Sequence, residues 1–216
     1  MEHDACGVGL VASTEGLKSR KVVEYGIDAL KAVWHRGAID ADGKTGDGAG
    51  IHIEIPKDFF EEKIEVTGHK HDNSELCVGM IFLPRNDYSA QEQCRTIVES
   101  ELTKRNFSIY GWRQVPVDPS VLGEKAEQTR PEITQVLFTY NDKKVVNKSL
   151  EQKLYETRRV IEKEALNNQL NNFYICSFSS KSIIYKGMFL AEALSDFYTD
   201  LKAVSYTHLR AHETQT

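Results

Sequence analysis

Several features that mark particular classes of protein are missing from this 216-residue sequence. No apolar run reaches the length of about 18 residues that a membrane-spanning helix needs, and the first residues lack the charged and then apolar pattern of a signal peptide. An excess of basic charge is missing too, since 27 lysine and arginine residues stand against 32 acidic ones, for a net charge of -5. Such a balance disfavours nucleic acid as a partner. We therefore expect a cytoplasmic protein that binds neither membrane nor nucleic acid.

Cysteine is scarce, and its four positions are widely separated. Because no Cys-x-x-Cys pair occurs, the spacing argues against a zinc site and against a disulfide framework. Cys77 and Cys176 lie in apolar, strand-like runs and are predicted to be inert core thiols, whereas Cys94 lies in a helix-like stretch and receives no role. His69 and His71 fall in a polar stretch, which favours a solvated loop over metal ligands. We predict no metal site.

Cys6 differs from the other cysteines because glycines and a short apolar run follow it, which predicts a first strand from Cys6 to Ala12. If the leader Met1 to Ala5 is removed, Cys6 carries both a thiol and a free α-amine. Their ordinary pKa values, about 8.5 and about 7.7–8.0, allow proton exchange near neutral pH. Cys6 is therefore a candidate N-terminal nucleophile. The alternative for a lone Cys-Gly pair is a buried cysteine beside a strand glycine.

Helix-like and strand-like segments alternate along most of the remaining chain. Apolar residues recur at helical spacing in Ser19 to Arg36, Ala90 to Lys104 and Leu150 to Leu166, and a last helix starts in Ala191 to Tyr198. Strands are predicted at Ile51 to Ile55, Leu76 to Leu83, Phe107 to Trp112 and Ile133 to Tyr140. Phe173 to Phe178 and Ser182 to Gly187 are predicted to form a hairpin. Such local strand pairs favour an α+β layered fold over a doubly wound parallel one.

Two segments have no regular period. Asp40 to Gly50 contains four glycines and three aspartates, which predicts a shaped loop. Val204 to Thr216 has no apolar period and resembles translated adapter sequence, so we interpret residues 204–216 as a non-native tail and 6–203 as the domain. His208 and His212 are discounted as metal ligands for the same reason.

Three motifs carry a family resemblance: Asp4-Ala5-Cys6-Gly7-Val8-Gly9, His35-Arg36-Gly37-Ala38 and Thr45-Gly46-Asp47-Gly48-Ala49-Gly50. In this order they resemble the glutamate synthase family, in its amino-terminal class II glutamine amidotransferase domain, and the likeness runs from Asp4 to Leu201. The resemblance implies an αββα four-layer sandwich of the N-terminal nucleophile hydrolase type, present here incompletely. It also implies hydrolysis of L-glutamine to glutamate and ammonia.

The resemblance assigns roles to five residues. Cys6 matches the nucleophile, and its α-amine after cleavage matches the base. Arg36 matches an arginine that holds the cysteine region through charge-assisted hydrogen bonds, although an ordinary helix-terminal arginine is the alternative. Gly46, Asp47 and Gly48 match a loop that shapes the wall beside the nucleophile, and a purely structural turn is an equally good interpretation.

The complete family enzyme implies partners outside this segment. Ammonia passes to a synthase domain on the same chain and combines there with 2-oxoglutarate, with FMN and an iron-sulfur cluster as cofactors. A small NADPH-oxidising subunit is a further implied partner, and NADPH and ferredoxin both remain open as electron donors. We expect no cofactor in the present segment.

Two stretches of the family pattern are missing from the sequence. They are His-Gln-Arg-Phe-Ser, whose arginine holds the substrate carboxylate, and Ala-His-Asn-Gly-Glu, whose asparagine and glycine stabilise the oxyanion. We therefore expect a catalytically silent N-terminal fragment of the glutaminase domain. Two alternatives stay open: an N-terminal nucleophile hydrolase for another amide, and a degenerate regulatory module that keeps the fold without catalysis.

Overall fold

A computed structural model describes residues 7–16, 19–33, 39–71, 74–142 and 148–203 as a mixed α/β structure with antiparallel pairing in its larger sheet. Contacts divide the chain into two compact units. The first unit consists of the described residues within 1–59, 116–129 and 185–216. The second consists of the described residues within 60–115 and 130–184. Within the described ranges, no helix is both long enough and apolar enough to cross a bilayer.

Six helices and six strands are found in the described ranges. The helices are α1 (Arg20–Ala32), α2 (Lys57–Val66), α3 (Tyr88–Lys104), α4 (Glu124–Thr129), α5 (Lys148–Asn167) and α6 (Leu194–Phe197). The strands are β1 (Ala49–Glu54), β2 (Leu76–Leu83), β3 (Phe107–Gln114), β4 (Glu132–Tyr140), β5 (Tyr174–Ser179) and β6 (Ser182–Gly187). Short 3₁₀ turns lie at Pro119–Val121, Ala191–Ala193 and Thr199–Lys202.

The second unit is built on a four-stranded antiparallel sheet in the order β3-β4-β2-β5. The central strands β2 and β4 are buried over almost their whole length, because both are nearly continuous apolar runs. Helices α3 and α5 pack against each other and against the sheet. The core of this unit includes Cys77, Ile81, Cys94, Val98, Val136, Phe138, Leu150, Leu154, Ile161 and Phe178.

Polar side chains fix the ends of elements in the second unit. The Asp87 carboxylate caps α3 by accepting from the Ala90 amide at 2.9 Å. Glu151, in the first turn of α5, accepts hydrogen bonds from the hydroxyls of Ser179 and Ser180 and from the Ser180 amide at 2.8 Å. A single carboxylate therefore joins the start of α5 to the end of β5.

In the first unit, α1 lies against β1, and β1 pairs with β6. Val23 and Ile27 form the buried stripe of α1, one helical turn apart. β1 alternates between half-buried and exposed residues, as the sequence predicted for this strand. An aromatic cluster beside it is formed by Tyr185, Phe189, Phe197 and Tyr198.

The predicted hairpin between the last two strands is wrong. β5 pairs with β2 in the four-stranded sheet, whereas β6 pairs with β1. Serine hydroxyls accept hydrogen bonds from the backbone between β5 and β6. Ser179 Oγ accepts from the amides of Lys181 and Ser182, and Ser177 Oγ accepts from the Ile184 amide at 3.2 Å. Because side chains take these amide protons, the chain leaves β5 without closing a two-stranded ladder.

The predicted first strand is also not found where the structure can test it. Residues 7–13 adopt no regular structure, and the side chains of Val8 and Leu10 are 93% and 92% exposed. A strand needs a neighbour for its backbone hydrogen bonds, and no described strand pairs with these residues. The apolar run alone therefore did not determine the local structure.

Two helices were missed in sequence. In α2, Phe60 and Ile64 lie one turn apart and are completely buried, but the surrounding charged residues hide the pattern. The six-residue α4 buries only Ala126, so its own sequence contains little helical signal. Contacts of Gly123 and Lys125 with the loop that contains Asp40 and Asp42 hold this helix in place.

Candidate functional site

The glycine-rich loop from Ile39 to Gly48, between α1 and β1, is the part of the predicted site that the structure describes. Cys6 and Arg36 lie outside the described residues, as does the leader of residues 1–5, so their roles stay predictions. Gly46, Asp47 and Gly48 are all in the loop, directly before β1.

The loop closes on itself through backbone hydrogen bonds. Ile39 and Gly46 form an antiparallel bridge, and the Asp40 amide donates to the Thr45 carbonyl at 2.9 Å. The Gly43 amide donates back to the Asp40 carbonyl at 2.9 Å. Gly43 has a φ of 69°, a left-handed conformation that glycine adopts without steric cost. The sequence prediction of a shaped loop is confirmed.

Asp42 organises the interior of this loop. Its Oδ1 accepts from the amides of Lys44 at 2.9 Å and Thr45 at 2.7 Å, and its Oδ2 accepts from Thr45 Oγ1 at 2.5 Å. The Thr45 hydroxyl, the amides of Thr45 and Lys44 and the backbone of Lys125 stabilise the carboxylate and lower its pKa to about 2. Thr45 itself is buried at 2% exposure.

Gly46 is packed against the backbone of the aromatic cluster. A Cβ at this position would lie 2.8 Å from the Phe189 carbonyl oxygen, so a larger residue would push the loop away. Gly50 is equally constrained, since its Cβ would lie 2.8 Å from the Tyr185 carbonyl oxygen. Backbone contact, rather than a side chain, therefore sets the position of the loop here.

Asp47 and Gly48 form the exposed part of the loop. Gly48 has a φ of 131°, which side chains rarely tolerate, so its backbone conformation requires glycine. The Asp47 carboxylate is open to solvent, and the turn is shaped by Asp42 instead. For Asp47, a structural role in the turn and contact with a substrate both remain predictions.

Sequence reasoning missed Asp42 and the segment that contacts it. Gly123 touches the loop, and the Lys125 ammonium lies 2.8 Å from Asp40 Oδ2. A local signal existed for Asp42, because Asp followed by Gly with Thr three residues on is typical of a side-chain-capped turn. No signal existed for Gly123 and Lys125, which lie far away in sequence.

Residues 6–211 match the family described as glutamine amidotransferases class-II. The chain belongs to this family. It is 57% identical over 200 residues to the glutamate synthase (NADPH) large chain of Azospirillum brasilense, which covers 93% of this chain and 13% of the relative. It is 38% identical over 207 residues to the ferredoxin-dependent glutamate synthase 2 of Synechocystis sp., covering 95% of this chain and 13% of the relative.

The ferredoxin-dependent glutamate synthase of Spinacia oleracea is similar to the same extent, at 36% identity over 208 residues, with 95% of this chain and 13% of the relative covered. This class-II glutamine amidotransferase chain therefore spans about 13% of the length of the curated relatives that it matches. The family predicted from the three motifs is confirmed.

The remaining thiols of this amidotransferase chain are buried. Cys77, Cys94 and Cys176 are buried in the interior, which confirms the prediction of core thiols for Cys77 and Cys176. Burial raises the pKa of the Cys94 thiol to about 11. At neutral pH this thiol therefore stays protonated, and it is a poor nucleophile.

His69 and His71, which follow α2, differ in their surroundings. His69 is exposed, as predicted, but the prediction of a solvated His71 is wrong: its side chain is 8% exposed and its Nδ1 lies 3.2 Å from Glu61 Oε1. The helix α2 that carries Glu61 was not predicted, so the partner was not foreseen. In the described part of the chain, no group of three or more histidine, cysteine or acidic residues is arranged to hold a metal.

Proposed function

We propose that this chain forms part of a glutaminase domain that hydrolyses L-glutamine to glutamate and ammonia, with Cys6 as an N-terminal nucleophile. The observation that carries the proposal is the family match, which begins at residue 6 and includes the glycine-rich loop. The fold that goes with this chemistry is the αββα four-layer sandwich. Removal of Met1 to Ala5 would give Cys6 the free α-amine that the mechanism needs.

In the proposed reaction the α-amine of Cys6 takes the thiol proton, and the thiolate attacks the side-chain amide carbon of glutamine. The tetrahedral intermediate collapses with cleavage of the C–N bond. The ammonium of Cys6 returns the proton to the leaving nitrogen, so that ammonia departs and a thioester remains. Water then attacks the thioester, and glutamate leaves as the thiol is restored.

The other predicted site residues act by position and charge. We assign to Arg36 the task of holding the cysteine region through charge-assisted hydrogen bonds. Gly46, Asp47 and Gly48 form the wall beside the nucleophile. The close contact between Gly46 and the Phe189 backbone supports this role, since such a wall must keep its place while substrate binds.

We further propose that the whole protein is a glutamate synthase, in which the ammonia reaches a synthase domain and reacts with 2-oxoglutarate. FMN and an iron-sulfur cluster are assigned to that larger enzyme, with a small NADPH-oxidising subunit as partner. NADPH is favoured over ferredoxin as electron donor, because identity is 57% to the NADPH-named relative and 38% to a ferredoxin-dependent one.

The test is glutamine hydrolysis by the complete enzyme that carries this sequence, in wild type, Cys6→Ala and a control, Cys94→Ala. We expect ammonia release in wild type and Cys94→Ala and none in Cys6→Ala. Hydrolysis of another amide but not glutamine would support a different N-terminal nucleophile hydrolase. No turnover of any amide would support a degenerate regulatory module.

For the 216-residue chain alone we expect ammonia release at background. Its sequence contains neither the carboxylate-binding stretch nor the oxyanion-binding stretch of the family, and one lost oxyanion donor costs about 10²–10³ in rate. Turnover by this chain that disappears in Cys6→Ala would show that other residues supply these interactions.

A further inference from the structure

The side chain of Asp42 joins the glycine-rich loop to a segment far along the sequence. Besides the three hydrogen bonds from Lys44 and Thr45, the backbone of Lys125, near the start of α4, helps to lower the pKa of the carboxylate. The Lys125 ammonium in turn pairs with Asp40 at 2.8 Å. The loop is thus connected to the start of α4 by the Lys125 side chain and by the contact of Gly123 with Asp42.

Gly123 lies directly on the hydrogen bond between Asp42 and Thr45. A Cβ at this position would fall 2.2 Å from Asp42 Oδ2 and 2.3 Å from Thr45 Oγ1. Neither side chain can easily move aside, because the carboxylate is held by several hydrogen bonds and Thr45 is buried. An added methyl group at Gly123 would therefore break the interaction that shapes the loop.

The segment that carries Gly123 is itself fixed to the aromatic cluster. Val117 forms a backbone bridge with Tyr198, and the Asp118 amide donates to the Phe197 carbonyl at 2.9 Å. Phe197 and Tyr198 pack against Phe189, whose backbone lies against Gly46. The loop therefore contacts both Gly123 and Phe189. The segment of Gly123 and the aromatic cluster of Phe189 are joined by the backbone contacts of Val117 and Asp118 with Tyr198 and Phe197.

This network buries little apolar surface at the loop. Of the residues from Ala41 to Gly48, only Thr45 and Gly46 are buried, and Asp42, Lys44 and Asp47 are exposed. The hydrogen bonds thus contribute to the conformation of an exposed loop rather than to a hydrophobic core. Such construction is typical of a loop that must present its backbone in one shape.

We propose that Asp42 and Gly123 are positioning residues for glutamine hydrolysis, which hold Gly46, Asp47 and Gly48 in the conformation that forms the wall of the glutamine site. This inference rests on the proposed function. The ion pair between Asp40 and Lys125 reinforces the same connection. The residues act through the loop and do not themselves contact substrate.

The test compares Asp42→Ala, Asp42→Asn and Gly123→Ala with a control, Asp28→Ala, in the complete enzyme. Asp28 is an exposed carboxylate on α1 in the same unit. We expect kcat/KM for glutamine to fall about 10- to 100-fold in Asp42→Ala and Gly123→Ala, because small displacements of positioning groups have effects of this size. Asp42→Asn should recover most of the activity, since its amide oxygen can still accept from Lys44 and Thr45.

A second readout separates positioning from a loss of folding. The rate at which iodoacetamide alkylates Cys6 should stay at the wild-type value in all variants, because this reagent needs no glutamine site. Equal falls in alkylation and glutamine turnover would overturn the proposal, as would an unchanged kcat/KM in Asp42→Ala and Gly123→Ala.

Amide hydrogen exchange at Lys44 and Thr45 in the 216-residue chain reports on the hydrogen bonds without any assay of activity. Exchange should accelerate in Asp42→Ala and Gly123→Ala but not in Asp28→Ala, and unchanged exchange would overturn the proposal. A wild-type enzyme with no Cys6-dependent glutaminase activity would overturn the proposed function and the positioning role together, whatever the exchange pattern.

Discussion

Asp42 is the loop residue whose ionisation is coupled most directly to local structure. Hydrogen bonds from Thr45 and Lys44 lower its pKa from 3.8 to about 2. Because the pKa is lower in the folded protein, the charged carboxylate stabilises the loop above about pH 4, and this contribution is lost as pH falls through about 2. We predict a carboxyl titration by NMR with a midpoint near 2 for Asp42, and a midpoint near 4 would contradict this hydrogen-bond network.

The sequence predicted a role for residues whose neighbours in sequence form a recognisable motif. It did not predict the role of residues that matter through contacts with distant parts of the chain. Cys6 is a candidate nucleophile because its thiol would gain a free α-amine if residues 1–5 were removed, and the family resemblance assigns it that role. The clustered glycines predict the shaped loop that contains Gly46 and Gly48, whereas the family resemblance implies their place beside the nucleophile. Gly123 gave no sign of its contact with Asp42, since a glycine's importance depends on which atoms fill the space of its absent side chain.

At the scale of elements, long buried strands and helices were predictable, and pairings were not. β2 and β4 are apolar over most of their length, and α3 and α5 have the periodicity of surface helices, so local sequence sufficed for each. β5 and β6 are close in sequence but pair with different strands. The strand with which each one pairs depends on packing with residues far away in sequence, so a local pattern does not predict it.

The joint between α5 and β5 gives a prediction about stability. Glu151 accepts hydrogen bonds from two serine hydroxyls and one amide, so its removal leaves partly buried donors without an acceptor. We expect Glu151→Ala to lower the free energy of unfolding by about 1–3 kcal/mol. Urea denaturation of the wild-type protein and of Glu151→Ala measures this difference in the free energy of unfolding.

The matched control is Glu156→Ala, which removes an exposed carboxylate from the same helix. It should change the free energy of unfolding by less than about 0.5 kcal/mol. Equal effects of the two substitutions would show that helix propensity, rather than the contact with Ser179 and Ser180, sets the stability of this joint.

At the scale of the whole molecule, the family could be identified from three short motifs, because each has a narrow chemical purpose and they occur in a fixed order. The α+β character was also predictable from the alternation of helices and strands, and the structure agrees. The division of the chain into two compact units was not predicted. Each unit combines segments from distant parts of the sequence, so no composition shift marks the boundary.

The central claim is that Cys6, with a free α-amine, is the nucleophile of a glutaminase. The most direct measurement is peptide mass analysis of the complete enzyme after reaction with a glutamine analogue that carries an electrophilic ketone. We predict one adduct, on a peptide that begins at Cys6, with the buried Cys77, Cys94 and Cys176 unmodified. An adduct on another cysteine, or on a peptide that still contains residues 1–5, would contradict the N-terminal nucleophile mechanism.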